Sequence, residues 1–218
     1  IFSNTLMIGV PLIGLAYGQE GLVLLFTLIS LHALVLLTLA TLVLELQMAR
    51  EQAAETGERR HLLRTVWQAV RSAIVHPVPL PILAGLLYAQ TDWGLHPVVD
   101  KPLQLLGSAF GPIALVLVGV TLARTPMAGH LRQALWISIS KNLVLPLLVG
   151  LSAWAMGITG LPLTVMVVAA ALPVGANVFL FAQRYEVAQE VTTASMGLST
   201  VLALVTLSAT MTLMSWIN

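Results

Sequence analysis

Long apolar runs, broken only briefly by polar residues, cover most of this chain. They read as seven spans: roughly 1–17, 21–46, 66–90, 103–123, 133–156, 161–182 and 191–217. A helix needs roughly 20 apolar residues to cross a bilayer. The runs are continuous, whereas the strands of a membrane barrel alternate in short segments. One interval is clearly hydrophilic, between the second and third runs, with Arg50, Glu51, Glu55, Glu58, Arg59, Arg60 and Arg64. It is too short for a soluble domain and predicts a surface helix or a flexible link.

Composition sharpens this pattern into a class. Of 218 residues, 58% are hydrophobic and 9% charged, and mean hydropathy is +0.93. Soluble domains carry about 25% charged residues, so the expectation is an all-α polytopic membrane protein. A net charge of +1 gives no reason to invoke nucleic acid. The absence of cysteine excludes disulfides and cysteine catalysis. Ile1 already lies in an apolar run with no charged segment before it, unlike a signal peptide. The chain therefore reads as a fragment whose start is missing.

Charge placement predicts orientation. Arg50, Arg59, Arg60 and Arg64, then Arg124 and Arg132, then Arg184 fall on connections that alternate to share one side. The opposite connections carry Lys101 and no other lysine or arginine. The positive-inside rule makes the arginine side cytoplasmic.

Two runs are interrupted. Leu172-Pro173-Val174-Gly175-Ala176-Asn177 lies within the sixth, and Asn4 with Gly9-Val10-Pro11 within the first. Proline removes a backbone donor and clashes with the preceding turn. Freed backbone groups in hydrocarbon need partners, so a broken helix survives inside protein or beside a water-filled cavity. Many secondary transporters build their substrate site from such helices. The two runs point in opposite directions, as an inverted repeat requires. Chance similarity competes with that reading, because Gly and Pro are common in membrane helices.

At these residues the chain resembles the auxin efflux carrier family, which includes plant auxin exporters and bacterial malonate permeases. The resemblance rests on Ala170-Ala171-Leu172-Pro173-Val174-Gly175-Ala176-Asn177-Val178-Phe179-Leu180-Phe181-Ala182-Gln183-Arg184-Tyr185, continuing into Ala194-Ser195-Met196-Gly197-Leu198-Ser199-Thr200. Asn4-Thr5 and Gly9-Val10-Pro11-Leu12 look like the family's first crossover helix. The Pro173 stretch is most similar to the bacterial malonate-carrier branch. The resemblance covers essentially the whole chain, against the family's C-terminal two-thirds. It implies a ten-helix fold of two inverted five-helix repeats, with two proline-broken helices crossing near the substrate and the first three helices absent here. On that basis 1–46 holds the last two helices of one repeat, 47–65 a cytoplasmic linker, and 66–218 the second repeat. The bacterial inner membrane is the location it implies, and a homodimer the assembly it suggests.

Asn177 and Asn4 each offer two donors and an acceptor. Beside unpaired helix N-terminal amides they suit a carboxylate; the plainer reading is that they satisfy freed backbone. Gly9, Pro11, Pro173 and Gly175 complete the candidate substrate site, the prolines as shape-makers. Lys141 lies inside the fifth span, about nine residues or roughly 13 Å past Arg132. It either snorkels to the headgroups or has a charge role, attracting an anionic substrate or holding a structural partner. His32 and His76, the latter before Pro77, Pro79 and Pro81, read as packed neutral histidines before proton couplers. Glu45, Asp92 and Asp100 read as interfacial or solvated. Ser195, Ser199, Thr200, Thr206 and Ser208 read as helix-packing positions.

The expectation is a secondary transporter of small organic anions, malonate or a related carboxylate, working by alternating access. Its partners are the substrate, the lipid bilayer and a coupling proton or sodium ion; it has no cofactor and no metal. An exporter of auxin-like weak acids and an anion channel are the alternatives. A retinal protein would need a lysine in the last span, which has none. An intramembrane enzyme would need a motif such as HExxH or GxGD, also absent.

Overall fold

The computed structural model describes residues 2–56, 67, 71, 84–85, 87–91, 93–124 and 130–217. Most of the expected third span, the arginine-rich part of the hydrophilic link, His76, Asp92 and most of the Arg124–Arg132 turn lie outside them. The described residues form six helical stretches. A π turn, Thr5–Gly9, leads into α1, Val10–Thr56. Helix α2 is Pro97–Arg124. Helix α3, Leu131–Ile139, continues through a second π turn, Ser140–Val144, into α4, Leu145–Ala155. Helices α5, Gly160–Ala171, and α6, Ala176–Arg184, follow, and α7 is Gln189–Ile217.

This corrects the expected architecture. Among the described residues three stretches, not seven, are long and apolar enough to cross a membrane: Thr5–His32, Leu131–Ala155 and Gln189–Ile217. The last two match the expected fifth and seventh spans. The first and second are two helices joined at Gly18 within the stretch Val10–Thr56, in line with the expected boundary: a Cβ on Gly21 would stand 3.0 Å from Ile13 Cγ2, and at Gly18 φ is 63° and ψ −154°. Glycine tolerates that left-handed φ without steric cost. The sixth divides into pieces of 12 and 9 residues, roughly 18 and 14 Å of helix, each short of a hydrocarbon core of about 30 Å. The ten-helix inverted repeat with two broken helices is therefore not what these residues build. Pro173 does end a helix. Pro11 is the second residue of α1 and follows the π turn Thr5–Gly9, a widened turn that accommodates its ring and missing N–H without ending the helix.

The chain divides into two compact units, Ile1–Leu25 with His96–Asn218, and Phe26–Leu95. In the first unit α5 packs against α4 and α7, and α7 packs also on α3 and α6. Helix α5 is apolar around most of its circumference, as a central helix should be. Leu163, Val165, Val167, Val168, Ala169, Ala170 and Ala171 are all buried. In the second unit α1 exposes Leu31, Val35, Leu39 and Val43. Their four-residue spacing makes one apolar stripe suited to lipid. Ser30 turns its hydroxyl back onto Phe26 O at 2.8 Å.

Candidate functional site

Pro173 has no N–H, so α5 cannot continue through it. The preceding Leu172 is pushed to extended geometry, φ −58° and ψ 149°. The chain stays extended to Gly175, φ −82° and ψ 155°, before α6 begins. In an apolar environment each unpaired backbone group costs several kcal/mol. The structure supplies partners from three directions.

The first is the segment Phe2–Asn4, which is also extended. Ser3 and Val174 pair antiparallel. Asn4 N–H donates to Pro173 O at 2.9 Å, and Gly175 N–H donates to Phe2 O at 2.8 Å. The strands approach so closely that a Cβ on Gly175 would stand 2.7 Å from Ser3 O. The second is α7, where Ser199 Oγ accepts the Val174 N–H at 3.0 Å. The third is Lys141, whose Nζ donates to Leu172 O at 2.6 Å and to Ala170 O. A cation at a helix C-terminus is favourable by up to about 2 kcal/mol when partly buried.

The second π turn explains how Lys141 reaches inward. Pro146 cannot donate to the carbonyl one turn back, and the wide turn Ser140–Val144 precedes it. Adjacent residues of a regular α-helix point about 100° apart. In the widened turn both Lys141 and Asn142 are fully buried. Lys141 serves the end of α5, while Asn142 Nδ2 donates to Ser199 O at 2.8 Å. Snorkelling is overturned: Lys141 is 0% exposed. Ser138 Oγ donates to Ser195 O at 3.4 Å, adding a further tie between α3 and α7.

The other expected site residues fall as follows. Asn4 caps the first π turn, Oδ1 accepting the Met7 N–H at 3.3 Å. Its Nδ2 has no hydrogen-bond partner among the described residues. Asn177 lies in the first turn of α6 and is half-buried. Its side chain likewise has no partner among the described residues. Gly9 is buried, and a Cβ there would stand 2.9 Å from Leu172 Cδ1, so it is a packing position. Pro11 is buried beyond the π turn, away from the extended pair.

Helix α6 presents its first amides toward this junction, and a helix N-terminus carries about half a positive charge. Phe2 stacks on Phe181 at 6.2 Å, and Phe181 on Tyr185 at 6.1 Å, fastening the extended segment to α6. A cavity of about 510 Å³ lies elsewhere, between α4, α5 and α7. Its lining is apolar apart from Asn142 and Thr210, and includes neither Lys141, Asn4 nor Asn177. Asn142 Oδ1 has no partner among the described residues. Backbone partners and polar termini converge at the break, so the break is the candidate site and the cavity is not.

Sequence reasoning assigned Ser199 to packing and gave Asn142 no role of its own. The available signal was the adjacency of two polar residues, Lys141-Asn142, in an apolar helix with a proline one turn on.

Comparison with known proteins follows the same direction. A family described as membrane transport protein matches residues 1–211. Auxin efflux carrier component 8 of Arabidopsis thaliana is 23% identical over 229 residues, covering 88% of this chain and 62% of that protein. A protein of Rhizobium meliloti (strain 1021) named for malonate transport is 29% identical over 158 residues, covering 72% of this chain and 49% of that protein. The chain thus spans about half to three-fifths of the length of these relatives.

Proposed function

The chain belongs to the membrane transport protein family, and from that premise we propose that it forms part of a secondary carrier for small organic anions. It is a multi-pass membrane protein. The substrate class we favour is malonate or a related carboxylate, held at the junction of the Leu172–Gly175 break with Phe2–Asn4. One observation carries this reading. A helix broken by Pro173 reopens as α6, with Asn177 in its first turn, beside the extended segment whose Asn4 N–H bonds Pro173 O. Unpaired amides and a helix N-terminus are suited to an anion. The relatives, named for auxin efflux and for malonate transport, are in keeping with a carboxylate substrate.

Transport requires that the junction open to each side in turn. The break suits this because its extended residues are held by hydrogen bonds to α7 and to Phe2–Asn4, not by a continuous helix. Coupling to a proton or sodium gradient belongs to the same proposal, and so does an auxin-like weak acid as substrate.

The test uses the protein as the cell makes it, in proteoliposomes. Radiolabelled malonate uptake is expected to saturate and to fall at least about tenfold with Asn177→Ala. Thermal stability is expected to hold, since the side chain makes no hydrogen bond among the described residues. Wild-type uptake in Asn177→Ala would remove that residue from the site. Absence of uptake of malonate and other small carboxylates in folded protein would remove the substrate class. Large unitary currents in place of saturable uptake would make it a channel.

A further inference from the structure

The substrate reading uses the amides of α6 but leaves the electrostatics of the break unbalanced. Helix α5 ends there and α6 begins there. The C-terminus of one carries about half a negative charge, and the N-terminus of the other about half a positive charge. Seen from a few ångströms away, the two ends largely cancel. Two half-helices meeting head to tail do not by themselves make an anion site.

Lys141 changes that balance. Its Nζ is bonded to Ala170 O and Leu172 O, at the negative end of α5. It overturns the sign of that end and leaves the junction net positive. Among the described residues no carboxylate is paired with it. Helices α3 to α6 and the second π turn contain no aspartate or glutamate. In the same unit Glu20, Glu186 and Glu190 are exposed, and Asp100 is in the first turn of α2. The ion pair recorded among the described residues is His130 with Glu190, at 3.4 Å and largely exposed. Glu190 is nine residues before Ser199 on α7, roughly 13 Å along the axis.

Ionisable groups inside a membrane pair with one another or mark a substrate path. Lys141 has two carbonyl partners, which supply dipoles but no net charge, and an ammonium has a third donor. We propose that Lys141 is the charge-selecting residue of the carrier: its missing counter-ion is the carboxylate of the substrate. It acts from behind the break, through the end of α5, and is not required to touch the substrate. Asn142 and Ser199 hold it in place, because the Asn142–Ser199 bond and the Ser199–Val174 bond fix the π turn and the break to the same turn of α7. The inference rests on the reading of the break as an anion site and adds what makes that site selective.

The test compares malonate with malonamide, its uncharged diamide of similar shape, in proteoliposomes of the protein as the cell makes it. Wild type is expected to prefer malonate. Lys141→Gln keeps a donor for the carbonyls but removes the charge, and is expected to lose about tenfold or more of that preference. Malonamide handling should change little. Lys141→Arg keeps the charge and is expected to keep the preference. A folded Lys141→Gln protein with wild-type preference would overturn the proposal and leave the anion site standing. Wild type that discriminates between the two probes in neither binding nor uptake would overturn the anion reading itself.

Ser138→Asp covers the case in which Lys141→Gln does not fold. Ser138 is buried one turn before Lys141, so a carboxylate there supplies a counter-charge while Lys141 stays in place. It is expected to lower the preference for malonate, and an unchanged preference in folded Ser138→Asp would equally sink the idea.

Discussion

Pro11 and Pro173 sit in similar wording, each beside a glycine in an apolar run near an asparagine, and the chain treats them in opposite ways. Pro173 arrives after three turns of α5, so its missing N–H and its ring interrupt a helix already under way. Pro11 arrives one residue into α1, following a π turn that Asn4 caps. The turn before it is already widened, with Val10 N–H bonded to Thr5 O, and so makes room for the ring. A proline therefore has no fixed meaning in a membrane run. What matters is how much helix has formed before it, and whether partners exist for the groups it frees.

The two glycines sharpen this contrast most. Gly175→Ala sets a Cβ 2.7 Å from a backbone oxygen, Ser3 O, which cannot turn aside. It is expected to part the extended pair and cost on the order of 3 kcal/mol, with transport lost. Gly9→Ala meets the tip of Leu172 at 2.9 Å, a contact that rotation eases, so about 1 kcal/mol is expected. Thermal unfolding in detergent would rank them, and a reversed order would refute the close approach as the constraint.

A smaller effect is expected at α7. Ser199→Ala leaves the Val174 N–H without its acceptor, a loss of about 1–3 kcal/mol for a buried donor. Ser199→Thr keeps an oxygen at that place and should restore most of it. Equal damage from both would mean that shape, not the hydrogen bond, matters there. Least of all is expected from Pro11→Ala, within about 0.5 kcal/mol, because the π turn before it already accommodates the missing N–H. A large loss there would make Pro11 a second break point after all.

Much of the candidate site was legible, and the limits have a common cause. The break at Pro173 follows from local covalent geometry, and the sequence pattern located it. The helices Leu131–Ala155 and Gln189–Ile217 follow from unbroken hydropathy. What the pattern missed is non-local. Nothing near Pro173 announces that Phe2 and Asn4 will complete its hydrogen bonds, or that Ser199 will accept from Val174. Lys141 was recognised as costly in the membrane, but its destination depends on a π turn set by Pro146. Pro11 does not break its run as Pro173 does, and motif likeness, which ignores position within a helix, hides that difference. The separation of 1–17 from 21–46, by contrast, was legible, because Gly18 takes a φ of 63° that no α-helix contains.

The antiparallel pairing of Ser3 with Val174 bears on the order of synthesis. These residues are 171 positions apart in the sequence. During translation Phe2–Asn4 emerges well before its partner. Contacts between such distant segments pay their loop-closure entropy late and form slowly. Until then Phe2 O has no strand to accept from, and once α5 is made the Pro173 break must find it. The backbone bridge is therefore suited to be a closing step of assembly. A ribosome stalled before Gly175 would hold a nascent chain in which this junction has only half its parts.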